Sequence, residues 1–536
     1  MDAERYKQEK VNFVSDTTGS SVYHINAVSL VALVSIALYA SLTTRFPSRT
    51  KSYTVQWFLL VLPLLLSMTL FATAPITLCI LIGIPTIALL SFFPRRDITS
   101  PLPSNKRSPN SHAPISSPTK QNSRRFPFMI SLSVYRAHMM LMTVLAIPAV
   151  DFPVFPRILA KCESFGVSLM DLGVGSFVFS QGLVSAIPFI SQPYYLLEPT
   201  STKLYKTIRK SIPVFILGFV RVLLVKGTDY PEHVTEYGVH WNFFLTLSLL
   251  PILQILLHPL LKTYPISIIG LSLSLLQQII LSASLQPLIL SPLRTHTTSP
   301  LLTLLLQNKE GLASLLGYLS IHILGLSLGT IVLPFSPSFF RRHQSAVEVF
   351  ERTGNKPVYF DDEDKLEKGY RQTSKTALEV VSYSIVWWVL FGAVRVLEVY
   401  VVGGEGGVSR RMVNLSYILW VTAFNTSFFL GYFTLLDILF HPQPDPTPTN
   451  TNLKKPTRPV PPSPPAVDNT PPLLNAINRH GLLIFLLANL LTGAVNLSMR
   501  TMYVRDMWAM SVLSAYSFVV CGVGWWLDVR KRKRGL

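Results

Sequence analysis

Apolar runs of about 20 residues recur along nearly the whole chain, and each is long enough to cross the roughly 30 Å hydrocarbon core of a membrane as a helix. Only 14% of the residues are charged, against about 25% in soluble proteins, and the mean hydropathy is +0.39. The chain is therefore predicted to be an all-α, polytopic integral membrane protein.

About thirteen membrane spans are predicted from these runs. The predicted spans are 25–43, 54–72, 74–93, 137–150, 165–187, 211–226, 239–258, 264–282, 312–335, 378–400, 415–438, 480–497 and 507–528. The apolar residues at 284–306 are also compatible with a re-entrant segment. The polar N-terminus leads straight into the first run without a small-residue cleavage pattern, so that run is predicted to be the insertion signal.

Lysine and arginine are concentrated in alternate loops, including the basic tail at 530–534. Because positively charged loops stay on the cytoplasmic side, the C-terminus is predicted to be cytosolic. The odd number of spans then places the N-terminus in the lumen. The net charge of +19 follows from this topology, and no nucleic-acid partner is predicted.

The whole chain, 1–536, is predicted to be one multi-span domain with three long cytosolic loops. Residues 98–125 are rich in Ser, Pro and basic side chains, and 440–472 are rich in Pro and Thr. Both are predicted to be disordered linkers because they have little apolar surface to bury. Residues 342–377 carry charges of both signs and are predicted to be a cytosolic loop.

The loop after the fourth predicted span and the start of the fifth span hold ionisable side chains in an otherwise apolar region. They are Asp151, Arg157, Lys161, Glu163 and Asp171. A charge in or next to lipid costs about 3 kcal/mol on insertion scales, so such groups are expected to pair or to do chemistry. The prolines between Asp151 and Arg157 interrupt a helix. They allow the chain to fold back, which is expected to bring Lys161 near Asp151.

Each of these side chains has a chemical and a structural interpretation. Asp151 can accept a proton from a hydroxyl, or it can be a helix-terminal charge. Lys161 can stabilise an oxyanion, bind a lipid phosphate or form a structural ion pair. Arg157 can bind phosphate or anchor the loop at the interface. Asp171 lies about 7–8 Å inside its span, so it must face the bundle interior or a wet cavity, and it can pair with Lys161 or Arg221.

The next predicted lumenal loop contains a second polar cluster. It comprises Glu232, His233, Glu236 and His240, followed by Asn242. Histidine titrates near neutrality, so the cluster can transfer a proton or hold a substrate hydroxyl. Its spacing matches no reliable zinc motif, and no metal site is predicted. A GxSxG elbow and a P-loop are absent from the sequence, and Cys162 has no nearby histidine in sequence to activate it.

Two long motifs resemble a known family. They are Ala149-Val-Asp-Phe-Pro-Val-Phe-Pro-Arg, continued by Ser168-Leu-Met-Asp-Leu-Gly-Val-Gly-Ser-Phe-Val-Phe, and Glu232-His-Val-Thr-Glu-Tyr-Gly-Val-His-Trp-Asn-Phe-Phe-Leu-Thr-Leu. Both resemble the GPI-anchored wall transfer proteins, which are glucosaminyl-phosphatidylinositol inositol acyltransferases. Shorter matches, such as Asn478-Arg-His-Gly-Leu-Leu-Ile-Phe, extend the resemblance over nearly the whole chain.

The resemblance implies a multi-pass enzyme of the endoplasmic reticulum. It would transfer a fatty acyl group, typically palmitoyl, from acyl-CoA to the inositol 2-hydroxyl of glucosaminyl-phosphatidylinositol, with acyl-CoA as co-substrate and no further cofactor. It implies that Asp151 and Lys161 are the catalytic pair. The substrate-binding positions are then expected at Arg157, Glu163, Asp171, Glu232, His233, Glu236, His240 and Asn242.

Other functions are compatible with the composition. A lipid transporter or flippase would need the same spans, although the internal symmetry usual in transporters is not seen. An acyltransferase of another family could use His480 with Asn489, or His240 with Asn242. A structural subunit of an anchor-assembly complex is a further alternative, but the ionisable cluster is poorly suited to it.

Overall fold

A computed structural model describes residues 3–15, 17–93, 129–192, 194–226, 234–291, 299–354, 371–401, 407–440 and 470–534. The described residues are mainly helical, with isolated β-bridges between Gly19, Ser20 and Val167. The helices are α1 (Ala3–Val14), α2 (Val22–Arg45), α3 (Tyr53–Leu60), α4 (Leu62–Ser67), α5 (Pro75–Phe92), α6 (Ile130–Ala149), α7 (Leu169–Ser185), α8 (Ile187–Ser191), α9 (Thr200–Lys226), α10 (Val234–Tyr237), α11 (Phe243–Leu256), α12 (His258–Thr263), α13 (Ile266–Ile280), α14 (Gln286–Leu290), α15 (Pro300–Gln307), α16 (Lys309–Val332), α17 (Phe339–Thr353), α18 (Thr373–Val401), α19 (Leu415–Tyr432), α20 (Pro472–Arg479), α21 (Gly481–Ser498) and α22 (Asp506–Lys533). π-helical turns extend α13 and α19. The predicted all-α architecture is confirmed.

A helix lies at the position of every predicted span. Within the described ranges, 10 helical segments are long and apolar enough to cross a membrane. The remaining predicted spans correspond to α3 with α4 and to α11, which are shorter, and to α9, whose first half is basic. The polytopic prediction is therefore confirmed by the length and composition of the helices.

Several boundaries differ from the sequence prediction because polar residues belong to helices. The helix α6 begins at Ile130 rather than 137, and the polar Ser131 and Ser133 in its first turns are buried. The predicted loop at 342–377 contains helical residues at both of its ends: α17 extends to Thr353 and α18 begins at Thr373. Its assignment to the cytosol stays a prediction. The linker 98–125 and most of 440–472 lie outside the described residues.

The helices α7 and α16 form the closely packed centre of the bundle. The described part of α16 is buried along nearly its whole length. A Cβ atom added at Gly182 would lie 1.9 Å from the carbonyl oxygen of His322, and one at Gly325 would lie 2.1 Å from that of Phe179. Glycine therefore allows the two backbones to approach more closely than larger residues would. This contact fixes the relative position of the loops at the ends of both helices.

Gly182→Ala is expected to destabilise the protein by about 1–3 kcal/mol or more, because its methyl group would collide with backbone rather than with a movable side chain. The matched control is Gly392→Ala in α18, where an added Cβ meets nothing within 4 Å. The control should leave stability unchanged or raise it slightly, since alanine favours helix. Apparent melting temperatures in detergent measure both changes. Equal melting temperatures for the two variants would contradict the close packing of α7 on α16.

The loops assigned to opposite sides by their charge lie at opposite ends of the bundle. At the predicted lumenal end, adjacent loops are joined by backbone hydrogen bonds: Ser20 N to Val167 O at 2.6 Å, Gly166 N to Val408 O at 2.8 Å, and Val239 N to Gln307 O at 3.1 Å. At the other end the joining bonds are Arg45 to Leu89 O at 2.7 Å, Gln372 N to Phe335 O at 2.9 Å, and Leu473 N to Gln56 at 2.9 Å. Which end faces the lumen stays a prediction.

Candidate active site

The loop after α6 is folded tightly around buried aromatic side chains, with Phe152 and Phe155 fully buried. The Arg157 guanidinium donates to the carbonyl oxygens of Val150 at 2.8 Å and Phe155 at 2.9 Å, which holds the loop closed. Burial lowers the pKa of Arg157 to about 10, and the nearby Asp151 opposes that shift. The side chain therefore stays positively charged at neutral pH and has a structural role in closing this loop.

Asp151 lies buried at the end of α6, among partners from distant parts of the chain. Its Oδ2 accepts a hydrogen bond from Asn496 Nδ2 at 2.8 Å, and its Oδ1 lies 3.5 Å from Lys10 Nζ. The same ammonium donates to Asn496 Oδ1 at 3.3 Å, and so does the Thr501 hydroxyl. Asp151 is thus oriented from two sides, by α1 and by the end of α21.

The expected meeting of Lys161 with Asp151 was wrong. Lys161 Nζ instead donates to both carboxylate oxygens of Glu236, at 2.8 and 3.0 Å. The prolines do bend the chain, but a short 3₁₀ turn at Arg157–Leu159 follows them. After this turn, Lys161 lies next to α10, where the Glu236 carboxylate is within hydrogen-bond distance of its ammonium. Asp151 and Lys161 lie in one loop but belong to two neighbouring charge clusters.

Asp171 forms the centre of the second cluster, and its predicted interior position is confirmed. Its carboxylate pairs with Arg410 Nε at 2.6 Å, with side chains 1% and 4% exposed, rather than with Lys161 or Arg221 as proposed from the sequence. Its Oδ2 also accepts from the Ser168 hydroxyl at 2.8 Å and from the Cys162 backbone N–H at 2.9 Å. Because these partners satisfy both oxygens, Asp171 holds the loop onto α7.

Arg410 connects Asp171 to the Lys161–Glu236 pair, since its Nη1 lies 3.1 Å from Glu236 Oε1. Burial opposes its charged form, but the carboxylates of Glu236 and Asp171 raise the pKa of Arg410 well above its ordinary value. The connected series Lys161, Glu236, Arg410 and Asp171 alternates in sign. Burial and the charge of Asp171 both raise the pKa of the Cys162 thiol, so this sulfur is not an activated nucleophile.

The other predicted site residues are placed differently. Asn242 caps α11 by accepting from Phe244 N at 3.0 Å, and it donates to Gly218 O at 2.7 Å, so its amide is used structurally. The backbone N–H of His240 donates to Asn308 Oδ1 at 2.8 Å, next to the cluster, and Glu163 is exposed. Glu232 and His233 lie outside the described residues. Among the residues that the structure describes, no group of acidic, His or Cys side chains is arranged for a metal.

Sequence reasoning missed the residues Lys10, Arg410 and Asn496. Arg410 stands in a loop between two apolar spans, which is the same signal that drew attention to Asp151 and Lys161. Lys10 and Asn496 carried no such signal, because a lysine in a polar N-terminus and an asparagine near a helix end are ordinary. Their proximity to Asp151 is visible only in the folded chain.

The fold and the site together define a class of protein. It is a polytopic α-helical membrane protein in which buried and half-buried carboxylates, lysines and arginines are collected at one end of the bundle. Such a site can remove a proton from a hydroxyl at Asp151 and can hold a charged or hydroxylated headgroup at the Lys161–Glu236 pair.

The GWT1 family model matches residues 6–527. Curated relatives named GPI-anchored wall transfer protein 1 are similar over nearly their whole length. The one from Cryptococcus neoformans var. grubii is 36% identical, with 98% of this chain and 99% of the relative covered. Those from Gibberella zeae and Aspergillus oryzae are 36% and 37% identical, with 98% of both chains covered in each case. The chain belongs to the GWT1 family.

Proposed function

We propose that the chain is an acyl-CoA-dependent inositol acyltransferase of GPI-anchor biosynthesis. It would act in the endoplasmic-reticulum membrane on glucosaminyl-phosphatidylinositol, with the site facing the lumen, and would need no cofactor beyond the acyl-CoA co-substrate. The observation that carries the proposal is the buried carboxylate of Asp151. Its Oδ2 accepts a hydrogen bond from Asn496, whereas its Oδ1 is not bonded to Asn496 and lies 3.5 Å from Lys10 Nζ. Family membership and the names of the curated relatives support the choice of pathway.

The proposed reaction is a direct transfer. Asp151 accepts the proton of the inositol 2-hydroxyl while that oxygen attacks the thioester carbon of acyl-CoA. The tetrahedral oxyanion then collapses, the carbon–sulfur bond breaks, and CoA leaves as a thiol after taking the proton from Asp151. An acyl-enzyme is not required because the thioester is already activated, and the raised pKa of Cys162 argues against one at that thiol.

The Lys161–Glu236 pair is proposed to act on the acceptor or on the developing oxyanion. The Lys161 side chain is 41% exposed, so it can reach a substrate, whereas Asp171 and Arg410 are enclosed by their partners. Glu236 would accept hydrogen bonds from hydroxyl or amino groups of the glucosaminyl-inositol head. Asn242 is not included, since its amide is used in capping α11.

The decisive experiment supplies the purified protein with palmitoyl-CoA and glucosaminyl-phosphatidylinositol and measures the acylated lipid by mass spectrometry. A matched acceptor with a methylated inositol 2-hydroxyl should give no product, which fixes the position of transfer. A monodisperse preparation that forms no acylated lipid would rule out the enzyme. Movement of the lipid between leaflets without acyl-CoA would favour a transporter instead.

Lys161→Met is expected to change stability by less than about 1 kcal/mol, because a half-exposed ion pair contributes little. Product formation should nevertheless fall by about 10-fold or more, since the ammonium available to the substrate is lost. Steady-state rates at several acceptor concentrations, together with melting temperatures, separate the two effects. Lys206→Met, which breaks the exposed pair with Glu198 at the opposite end, is the control. Unchanged kinetics in Lys161→Met would leave Lys161 a purely structural partner of Glu236.

A further inference from the structure

The short helix α1 lies across the loop that carries Asp151 and Lys161. From one face of α1, Lys10 approaches Asp151 at 3.5 Å, and Phe13 covers the guanidinium of Arg157 with 4.2 Å between its ring centre and Cζ. Lys10 and Phe13 are three residues apart, which places them on the same side of a helix. The helix therefore presents a cation and an aromatic ring to this loop together.

Contacts beyond this face also hold α1 and the segment after it in place. The hydroxyl of Thr17, just past α1, donates to the carbonyl oxygen of Lys161. The ring of Tyr6 lies 5.8 Å from that of Tyr503, whose hydroxyl donates to Glu9. These partners belong to the loop after α6 and to the connection between α21 and α22. The helix α1 thus joins two loops that are far apart in sequence.

A helix of 12 residues as polar as α1 would be marginal in water by itself. Its sequence is also too charged to enter the hydrocarbon, so it must lie on the surface of the bundle. Its position consequently depends on the tertiary contacts of Lys10, Phe13 and the neighbouring aromatic residues. Among these, the approach of Lys10 to Asp151 is the contact that bears on the proposed chemistry.

Lys10 and Asn496 contact each other as well as Asp151, so the three side chains orient one another. Asn496 donates to Asp151 Oδ2 through its amide nitrogen and accepts from Lys10 through its amide oxygen, at 2.8 and 3.3 Å. The Lys10 side chain is only 16% exposed, so its ammonium is poorly placed to exchange these partners for water. With Oδ2 occupied, the orientation of Oδ1 depends on Lys10.

We propose that Lys10, carried by α1, is a positioning residue for Asp151. The role rests on the proposed acyl transfer: Lys10 would fix the rotation of the carboxylate so that Oδ1 meets the inositol hydroxyl. A misplacement of a reacting group by about 1 Å costs on the order of 100-fold in rate, so loss of this contact affects turnover more than folding.

The test compares Lys10→Met, Lys10→Arg and Arg5→Met in the full-length protein. Arg5 is an exposed neighbour in α1 that pairs with Glu9, so it controls for general effects on the helix. Lys10→Met should lower kcat by about 10- to 100-fold with the acceptor KM and the melting temperature little changed. Lys10→Arg should recover at least part of that loss, because a cation is again within reach of Asp151, and Arg5→Met should behave as wild type.

Hydrogen exchange of the α1 backbone amides provides a readout that does not depend on activity. Exchange in residues 3–14 should be faster in Lys10→Met than in Arg5→Met, because the contact that anchors the helix is removed. Wild-type turnover in Lys10→Met, or a Lys10→Arg variant no better than Lys10→Met, would overturn the positioning role while leaving the acyl transfer intact. A wild-type protein that forms no product would overturn the function itself, and the exchange data would still decide whether Lys10 anchors α1.

Discussion

Asp151→Asn is expected to lower the rate of inositol acylation by about 100- to 10,000-fold, the range that a positioned general base contributes. The asparagine side chain has nearly the same shape, and its oxygen can still accept the hydrogen bond from Asn496 Nδ2. The contact between α6 and α21 should therefore persist and the variant should fold, although an asparagine oriented in this way turns its NH2 group, which is a donor, toward the Lys10 ammonium. What is lost is the group that we propose takes the proton from the acceptor hydroxyl.

The measurement is the initial rate of acylated-lipid formation from palmitoyl-CoA, together with the melting temperature of each preparation. Asp506→Asn is the matched control, because Asp506 is an exposed carboxylate at the same end of the bundle. It should keep wild-type activity. If Asp151→Asn retained more than a tenth of the wild-type rate in a folded preparation, Asp151 would not be the base, and the direct-transfer mechanism would need another proton acceptor.

Arg410→Met is expected to destabilise the protein by about 3–5 kcal/mol, because it leaves the carboxylate of Asp171 buried without its cation. Glu236 loses a partner in the same change. The attachment of the loop after α6 to α7 should weaken, because an Asp171 carboxylate that moves toward water also gives up the hydrogen bond from the Cys162 backbone N–H. Lower apparent melting temperature and loss of the monodisperse peak in detergent would show the effect.

Two further variants test whether the loss of stability in Arg410→Met comes from the unpaired buried charge rather than from the loss of an ion pair as such. Arg352→Met breaks the pair with Glu348, in which Arg352 is 76% exposed, and should cost no more than about 0.5 kcal/mol. The double variant Asp171→Leu with Arg410→Met should be more stable than Arg410→Met alone, since no isolated charge then remains buried. A melting temperature of Arg410→Met equal to that of wild type would contradict the structural role assigned to the pair.

The charged residues show how far sequence reasoning reached. A carboxylate in an apolar span had to face the interior, and Asp171 does, although it lies in the first turn of α7 rather than deep in the span; burying a charge against lipid is costly. Its partner was not predictable from one chain, because Arg410 lies 239 residues away and several basic residues were equally plausible. The same limit led to the wrong expectation for Lys161, where nearness in sequence favoured Asp151 over Glu236.

The sequence by itself determined the all-α polytopic architecture, the positions of the spans and the loop in which Asp151 and Lys161 stand. These properties are local, since the length and hydropathy of a run decide whether it can span a membrane. Only the tertiary structure decided which charges meet. The close contact of α7 with α19 at Gly175 brings Arg410 to its partner, and the placement of α1 and α21 beside the loop after α6 does the same for Lys10 and Asn496. Such pairings depend on how distant helices pack, and no pattern along a single chain encodes them on its own.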